Sequence, residues 1–252
     1  MYKILANTLF LGKEIIYMPS CHSTNDIAME LTKEADTREG TVVITDDQTQ
    51  GRGQRGNQWI SEPGSNLIMS LILKPKFLRP QDQFALNILA SVSVQEAINH
   101  FMPEASVKVK WPNDVLINDK KSSGILIENS IQGNSIGHSV IGIGVNINQK
   151  VLSFERATSL LLQLGKEIII HDFFEVLMMR IEQNYLVLKN GAFNQLKAKY
   201  MQHLFGYKVE RNYRAEYLFT GQIEDVDDIG RLIMSTSKGI KSFDFKEIEF
   251  IY

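Results

Sequence analysis

Residues 51 to 59 read G-R-G-Q-R-G-N-Q-W and follow directly on the strand-like run Thr41-Val42-Val43-Ile44. Glycine lets a backbone come close to a ligand and adopt positive φ. Arginine offers a fixed fork of donors to carboxylate or phosphate, and Trp59 offers a flat face to a ring. A loop so built suits an anionic, ring-bearing ligand such as a nucleotide or an acyl phosphate. Gly51, Gly53 and Gly56 also fit G-x-G-x-x-G, but that fingerprint needs a helix at the third glycine and an acidic residue about 20 positions on. Here Ser61-Glu62-Pro63-Gly64 breaks any helix, and residues 74 to 80 are basic and apolar. The G-K-[ST] signature of a P-loop is also missing.

Three more polar clusters fall at the ends of expected strands: S-T-N at 23 to 25, K-W-P-N-D at 110 to 114 with Lys121 and Gly124 behind it, and G-I-G-V-N-I-N at 142 to 148. Each has a plainer reading. Ser23, Thr24 and Asn25 suit a helix cap, Trp111 before Pro112 suits packing, and Gly142 and Gly144 suit close approach of a neighbouring element.

The elements expected to carry these clusters are a helix over 25 to 35, a strand over 41 to 47, and a doubly apolar central strand over 66 to 73. A long helix over 81 to 101 follows, then a strand over 107 to 110, a hairpin of 115 to 117 with 125 to 127, and a strand over 138 to 147. Phe174, Leu177, Met178, Ile181, Tyr185 and Leu188 mark an amphipathic helix over 171 to 189. Beyond residue 205 short alternating runs, such as 207 to 210 and 243 to 246 with a turn at 228 to 231, predict a small β-barrel. The expected division is 1 to 204 and 205 to 252.

A formal net charge of −2 over 252 residues argues against a general nucleic-acid binder. The single cysteine, Cys21, excludes an internal disulfide and suits a reducing cytosol. The scattered histidines give no zinc-ligand spacing. The N-terminal residues are too polar for a secretory signal, and no apolar run reaches bilayer length. A cytoplasmic protein with no membrane partner and no metal site of its own is expected.

In this order and spacing, S-T-N, G-R-G, K-W-P-N-D with K-x-x-G-I-L-I-E (121 to 128) and G-x-G-x-N closely resemble the biotin protein ligases, the biotin–[acetyl-CoA-carboxylase] ligases. The likeness is dense over residues 15 to 150. It implies an α/β catalytic domain with a mixed sheet, similar to the class II aminoacyl-tRNA synthetase core, followed by an SH3-like barrel. It also implies a two-step reaction, in which biotin and ATP give biotinyl-5′-AMP and a lysine of a biotin carboxyl carrier domain then takes the biotinyl group. Two anions meet in the first step, so fixed cations and N–H groups must offset their repulsion.

By the same resemblance Lys121 and Arg52 are the catalytic cations. Biotin is lined by Ser23, Thr24, Asn25, Gln48, Gly51, Arg52, Gly53, Gln54, Lys121 and Gly124. Arg55, Trp59, Lys110, Asn113, Asp114, Gly142 and Asn146 serve ATP, with Trp59 over the adenine and Asp114 holding the site together or assisting Mg²⁺ on the triphosphate. The chain departs from the family pattern at Gln54 and Asn57, where arginines are common, and at His22, where an acid is common. The glycine loop therefore lacks part of the usual positive charge. A lipoate or octanoate ligase or transferase of related fold is the alternative. A DNA-binding repressor is not expected, because S-T-N at 23 leaves no room for the winged helix of bifunctional members. Related ligases occur as monomers or homodimers, and the sequence does not choose between them.

Overall fold

The computed structural model describes residues 5 to 252, apart from the side chain of Arg55. A seven-stranded mixed sheet organises the larger part. Its strands are β1 (Ile15–Cys21), β2 (Val42–Gln48), β3 (Leu67–Leu73), β4 (Val107–Lys110), β5 (Asp114–Ile117), β6 (Lys120–Gln132) and β7 (Ser135–Val145), in the order β1-β2-β3-β7-β6-β5-β4. β1 runs parallel to β2, and every other pair is antiparallel. All seven residues of β3 are buried, as its doubly apolar sequence requires of a strand covered on both faces.

Helices cover both faces of the sheet. α1 (Thr24–Leu31) packs on β2, β3 and β7 over a small cluster of Ala28, Val43, Ile72 and Val140. On the other face lies α2 (Phe84–Phe101), backed by α4 (Ile170–Lys189) and α5 (Phe193–His203). A short α3 (Leu160–Leu164) sits between β7 and α4. Beyond α5, β8 (Glu210–Arg214), β9 (Leu218–Val226), β10 (Leu232–Thr236), β11 (Gly239–Phe243) and β12 (Glu249–Phe250) form an antiparallel five-stranded sheet, ordered β11-β10-β9-β8-β12.

The two sheets share one apolar core. Phe205 N–H donates to the Val109 carbonyl at 2.7 Å, and the Trp111 indole donates to the Gly230 carbonyl at 2.9 Å. Gly230 sits at φ +96° against the Phe84 ring, where a methyl group would overlap, so that turn can close only with glycine.

Several elements differ from expectation. The first helix stops at Leu31 rather than residue 35, because the hydroxyls of Thr32 and Thr37 donate to the Met29 and Leu31 carbonyls and satisfy the helix end. α2 starts at Phe84, after a separate 3-10 turn over Pro80–Asp82. β1, α3 and α5 were not anticipated: β1 is an edge strand whose pattern is not clearly alternating, and α3 is short. In the hairpin of β5 and β6, Asn118 and Asp119 take positive φ of 48° and 64°, which suits a two-residue turn. The runs over 207 to 210 and 243 to 246 supply only ends of strands.

Candidate active site

The four clusters meet in one cleft of about 650 Å³, within the usual size of a small-molecule site. One wall is set by the start of α1. Ser23 caps that helix, its hydroxyl accepting from the Asp26 N–H at 3.5 Å, so the capping reading holds for Ser23. Thr24 donates to the Gln48 side-chain oxygen through its N–H at 2.9 Å and its hydroxyl at 3.3 Å. The Asn25 amide donates to Glu128 at 2.8 Å, while its oxygen lies 2.6 Å from the Ser70 hydroxyl. Gly142 makes room for Asn25, since a methyl there would overlap the amide.

The glycine loop folds back over this wall. Gly53 N–H donates to the Asn57 carbonyl at 2.7 Å, Trp59 N–H to that of Gly51 at 3.0 Å, and Arg52 bridges to Gln58. Gly124 and Gly144 face each other across β6 and β7 and form a flat shelf for the Trp59 indole, which a methyl at Gly144 would strike. The indole N–H is buried and has no hydrogen-bond partner among the described residues. Arg52 ion-pairs with Asp26 at 2.6 Å and Glu128 at 2.6 Å. Two carboxylates thus share its one positive charge.

At the other end Lys121 Nζ lies 2.6 Å from Asp114 Oδ1. Asn113 donates to the Ile125 carbonyl at 2.6 Å, which fixes the turn into β5. Trp111 is buried and packs on Phe245 at 5.2 Å between centroids, so its part is structural. Lys110 sits over the Phe250 and Tyr252 rings at 5.2 Å and 5.3 Å, and Arg156 stacks 3.5 Å over Tyr252. Neither cation has a carboxylate partner among the described residues.

Of the expected biotin residues, Ser23, Thr24, Asn25, Gln48, Arg52, Gly53, Gln54, Lys121 and Gly124 line the cleft, as do Trp59, Lys110, Asn113, Asp114 and Gly142 from the nucleotide set. Gly51 does not; it is packed under the Trp59 carbonyl, with no space for a side chain. Asn146 does not either, because its amide donates to the Thr158 carbonyl at 3.1 Å and is buried. The side chain of Arg55 lies outside the described part. Sequence reasoning missed Arg156, Phe245, Lys246, Glu249, Phe250 and Tyr252 on the cleft wall, and Asp26 and Glu128 as partners of Arg52. The closing phrase K-x-x-G-I-L-I-E did contain Glu128, but without a role.

The family model for the biotin/lipoate A/B protein ligases matches residues 17–146. The bifunctional ligase/repressor BirA of Bacillus subtilis is 34% identical over 250 residues, 96% of this chain and 75% of that protein. The biotin–[acetyl-CoA-carboxylase] ligase of Mycobacterium tuberculosis is 28% identical, over 84% of this chain and 79% of its own length. Among solved structures, the biotin protein ligase from Aquifex aeolicus in complex with biotin and ATP superposes with a TM-score of 0.79 at 29% identity, covering 95% of this chain and 99% of that one. The chain belongs to the biotin/lipoate A/B protein ligase family.

Proposed function

We propose that this protein is an ATP-dependent biotin–protein ligase. One observation carries the reading: the S-T-N cluster, the glycine loop and the Lys121–Asp114 pair share one cleft. A biotin carboxylate oxygen bonds to the α-phosphorus of ATP, the bond to the bridging β-phosphate oxygen breaks, and pyrophosphate leaves. A carrier-domain lysine amine then bonds to the acyl carbon, loses a proton and releases AMP. Lys121, fixed by Asp114, offsets the charge where carboxylate and α-phosphate meet. Thr24, Asn25 and Gln48 supply the mixed donors and acceptors that suit a ureido ring. Lys110 and Arg156, steadied by the Tyr252 ring, face the triphosphate.

Mg²⁺ would arrive with ATP. Asp114, on the cleft wall, is the candidate protein ligand beside the phosphate oxygens. The mixed sheet and its helices are read as a class II aminoacyl-tRNA synthetase-like core over 1 to 204, and the five-stranded sheet as an SH3-like barrel over 205 to 252. The partner is a biotin carboxyl carrier domain rather than DNA or a membrane, the setting cytoplasmic, and self-association as a dimer is open to test. No described helix is long and apolar enough to cross a membrane.

Transfer through a thioester is disfavoured. The only cysteine, Cys21, is buried, and burial pushes its thiol above the ordinary value. The test is exchange of labelled pyrophosphate into ATP with biotin, lipoate or octanoate as the acid. Exchange driven by biotin supports the reading; exchange driven by lipoate or octanoate alone overturns it.

A further inference from the structure

Arg52 sits in the glycine loop but spends its charge on two side chains from different elements. Its Nη2 lies 2.6 Å from Asp26 Oδ1, in the first turn of α1, and 2.6 Å from Glu128 Oε2, on β6. Nη1 donates a second bond to Glu128 at 3.2 Å, making that pair bidentate. Glu128 is held in turn by Asn25 at 2.8 Å, and Asn25 by Ser70 in the buried middle of β3. A rigid chain of polar contacts thus runs from the core of the sheet to the loop. Because Arg52 also bridges to Gln58, fixing its guanidinium fixes both limbs of the loop.

We propose that Asp26 and Glu128 are positioning residues: a two-carboxylate latch that holds Arg52, and with it the glycine loop, over the biotin end of the cleft. The inference rests on the ligase reading for its consequence, but the latch itself is a property of the free protein. One guanidinium between two carboxylates leaves the group with net negative charge, so Arg52 is an anchor for the loop, and attraction of the ligand's anion falls to the cations at the other end. The loop carries fewer arginines than the family pattern, at Gln54 and Asn57, and the latch supplies closure that a charge clamp on the ligand would otherwise give.

Trypsin reports on the loop through the peptide bond after Arg55, which survives when Arg52 is replaced. Glu128→Gln and Asp26→Asn keep shape and remove charge, and should each speed cleavage of the ligand-free protein about fivefold, as loss of a partly exposed ion pair allows. Glu128→Gln combined with Arg52→Ala should cleave no faster than Arg52→Ala alone, since both break the same contact. In pyrophosphate exchange, Glu128→Gln should raise the biotin KM and leave the ATP KM unchanged. Unchanged cleavage in Glu128→Gln, or effects of the two substitutions that add, overturns the latch. A protein without biotin-dependent exchange fails as a ligase, while the cleavage comparison still decides the latch.

Discussion

At the scale of single residues, two of the site's cations, Arg52 and Lys121, are already paired with carboxylates within the protein. Lys121 is held by Asp114 at 2.6 Å, so its ammonium is in place before any anion arrives and no reorganisation is needed at the barrier. Lys121→Ala should lower the rate of pyrophosphate exchange about 100- to 1000-fold, the cost of losing one preorganised donor, with ATP affinity changed only a few-fold. Single-turnover kinetics beside calorimetric ATP binding separates the two effects, and near-normal exchange would remove Lys121 from the mechanism. Tyr252 holds two cations on one ring. Tyr252→Ala should raise the ATP KM about fivefold, within the range of partly exposed cation–π contacts, and leave the biotin KM alone; an equal rise in both would contradict the assignment of that end to the triphosphate.

At the scale of elements, the glycines of β6 and β7 decide where the loop rests. Gly124 and Gly144 are direct cross-strand partners, and the indole of Trp59 fills the space their missing side chains leave. Gly144→Ala puts a methyl into that ring. Overpacking of this kind costs about 1 to 3 kcal/mol, and here the yielding part is the loop, so biotin turnover should fall more than the melting temperature. Comparing kcat/KM with Tm for this variant decides it. Two half-buried histidines, His138 on β7 and His203 at the end of α5, carry a pH dependence instead. Burial lowers the pKa of both, helped by Lys74 and Lys76 beside His138 and by Lys108 of β4 beside His203. The folded protein therefore binds these protons less readily than the unfolded chain, whose histidines titrate near pH 6.5. This stability is present above that pH and is lost as pH falls through the lower folded values. Melting temperature should drop from pH 7.5 to 5.5, and His138→Gln with His203→Gln should flatten the drop; an unchanged slope would assign it to other groups.

The elements most legible in the sequence were those with local signals. β3 is apolar on both faces, α4 carries an unbroken stripe, and each polar cluster stands at a strand end, which is why most of the expected residues share one cleft. Trp111 was likewise legible as a packing residue. The edge strand β1 was hidden because its pairing with β2 depends on residues far along the chain. The pairing of Arg52 is not legible locally, because nothing nearby in sequence reveals that Asp26 and Glu128 close on it. The burial of Asn146 is hidden for the same reason: its partner is the Thr158 carbonyl, set by the fold of the following loop.

At the scale of the whole molecule, both sheets draw on one core, with Trp111 and Phe84 each packed on Phe245 from the C-terminal region. If residues 1 to 204 and 205 to 252 are two units, they should nonetheless unfold together. Thermal unfolding followed by calorimetry should give one transition, and Phe245→Ala should lower its midpoint while loosening the Trp111 side of the cleft. Two separated transitions would show that the shared packing contributes little. That side of the cleft was invisible in the sequence because residues 245 to 252 come back to it from the end of the second sheet.

The placement of Tyr252 at the cleft also matters at the bench. Residues joined directly behind Tyr252 would begin on the cleft wall, beside Lys110 and Arg156, so an affinity tag placed there should act as an inhibitor in cis. A polyhistidine tail or a fluorescent fusion there should depress ATP-dependent activity, and cleaving it off with a site-specific protease should restore the rate.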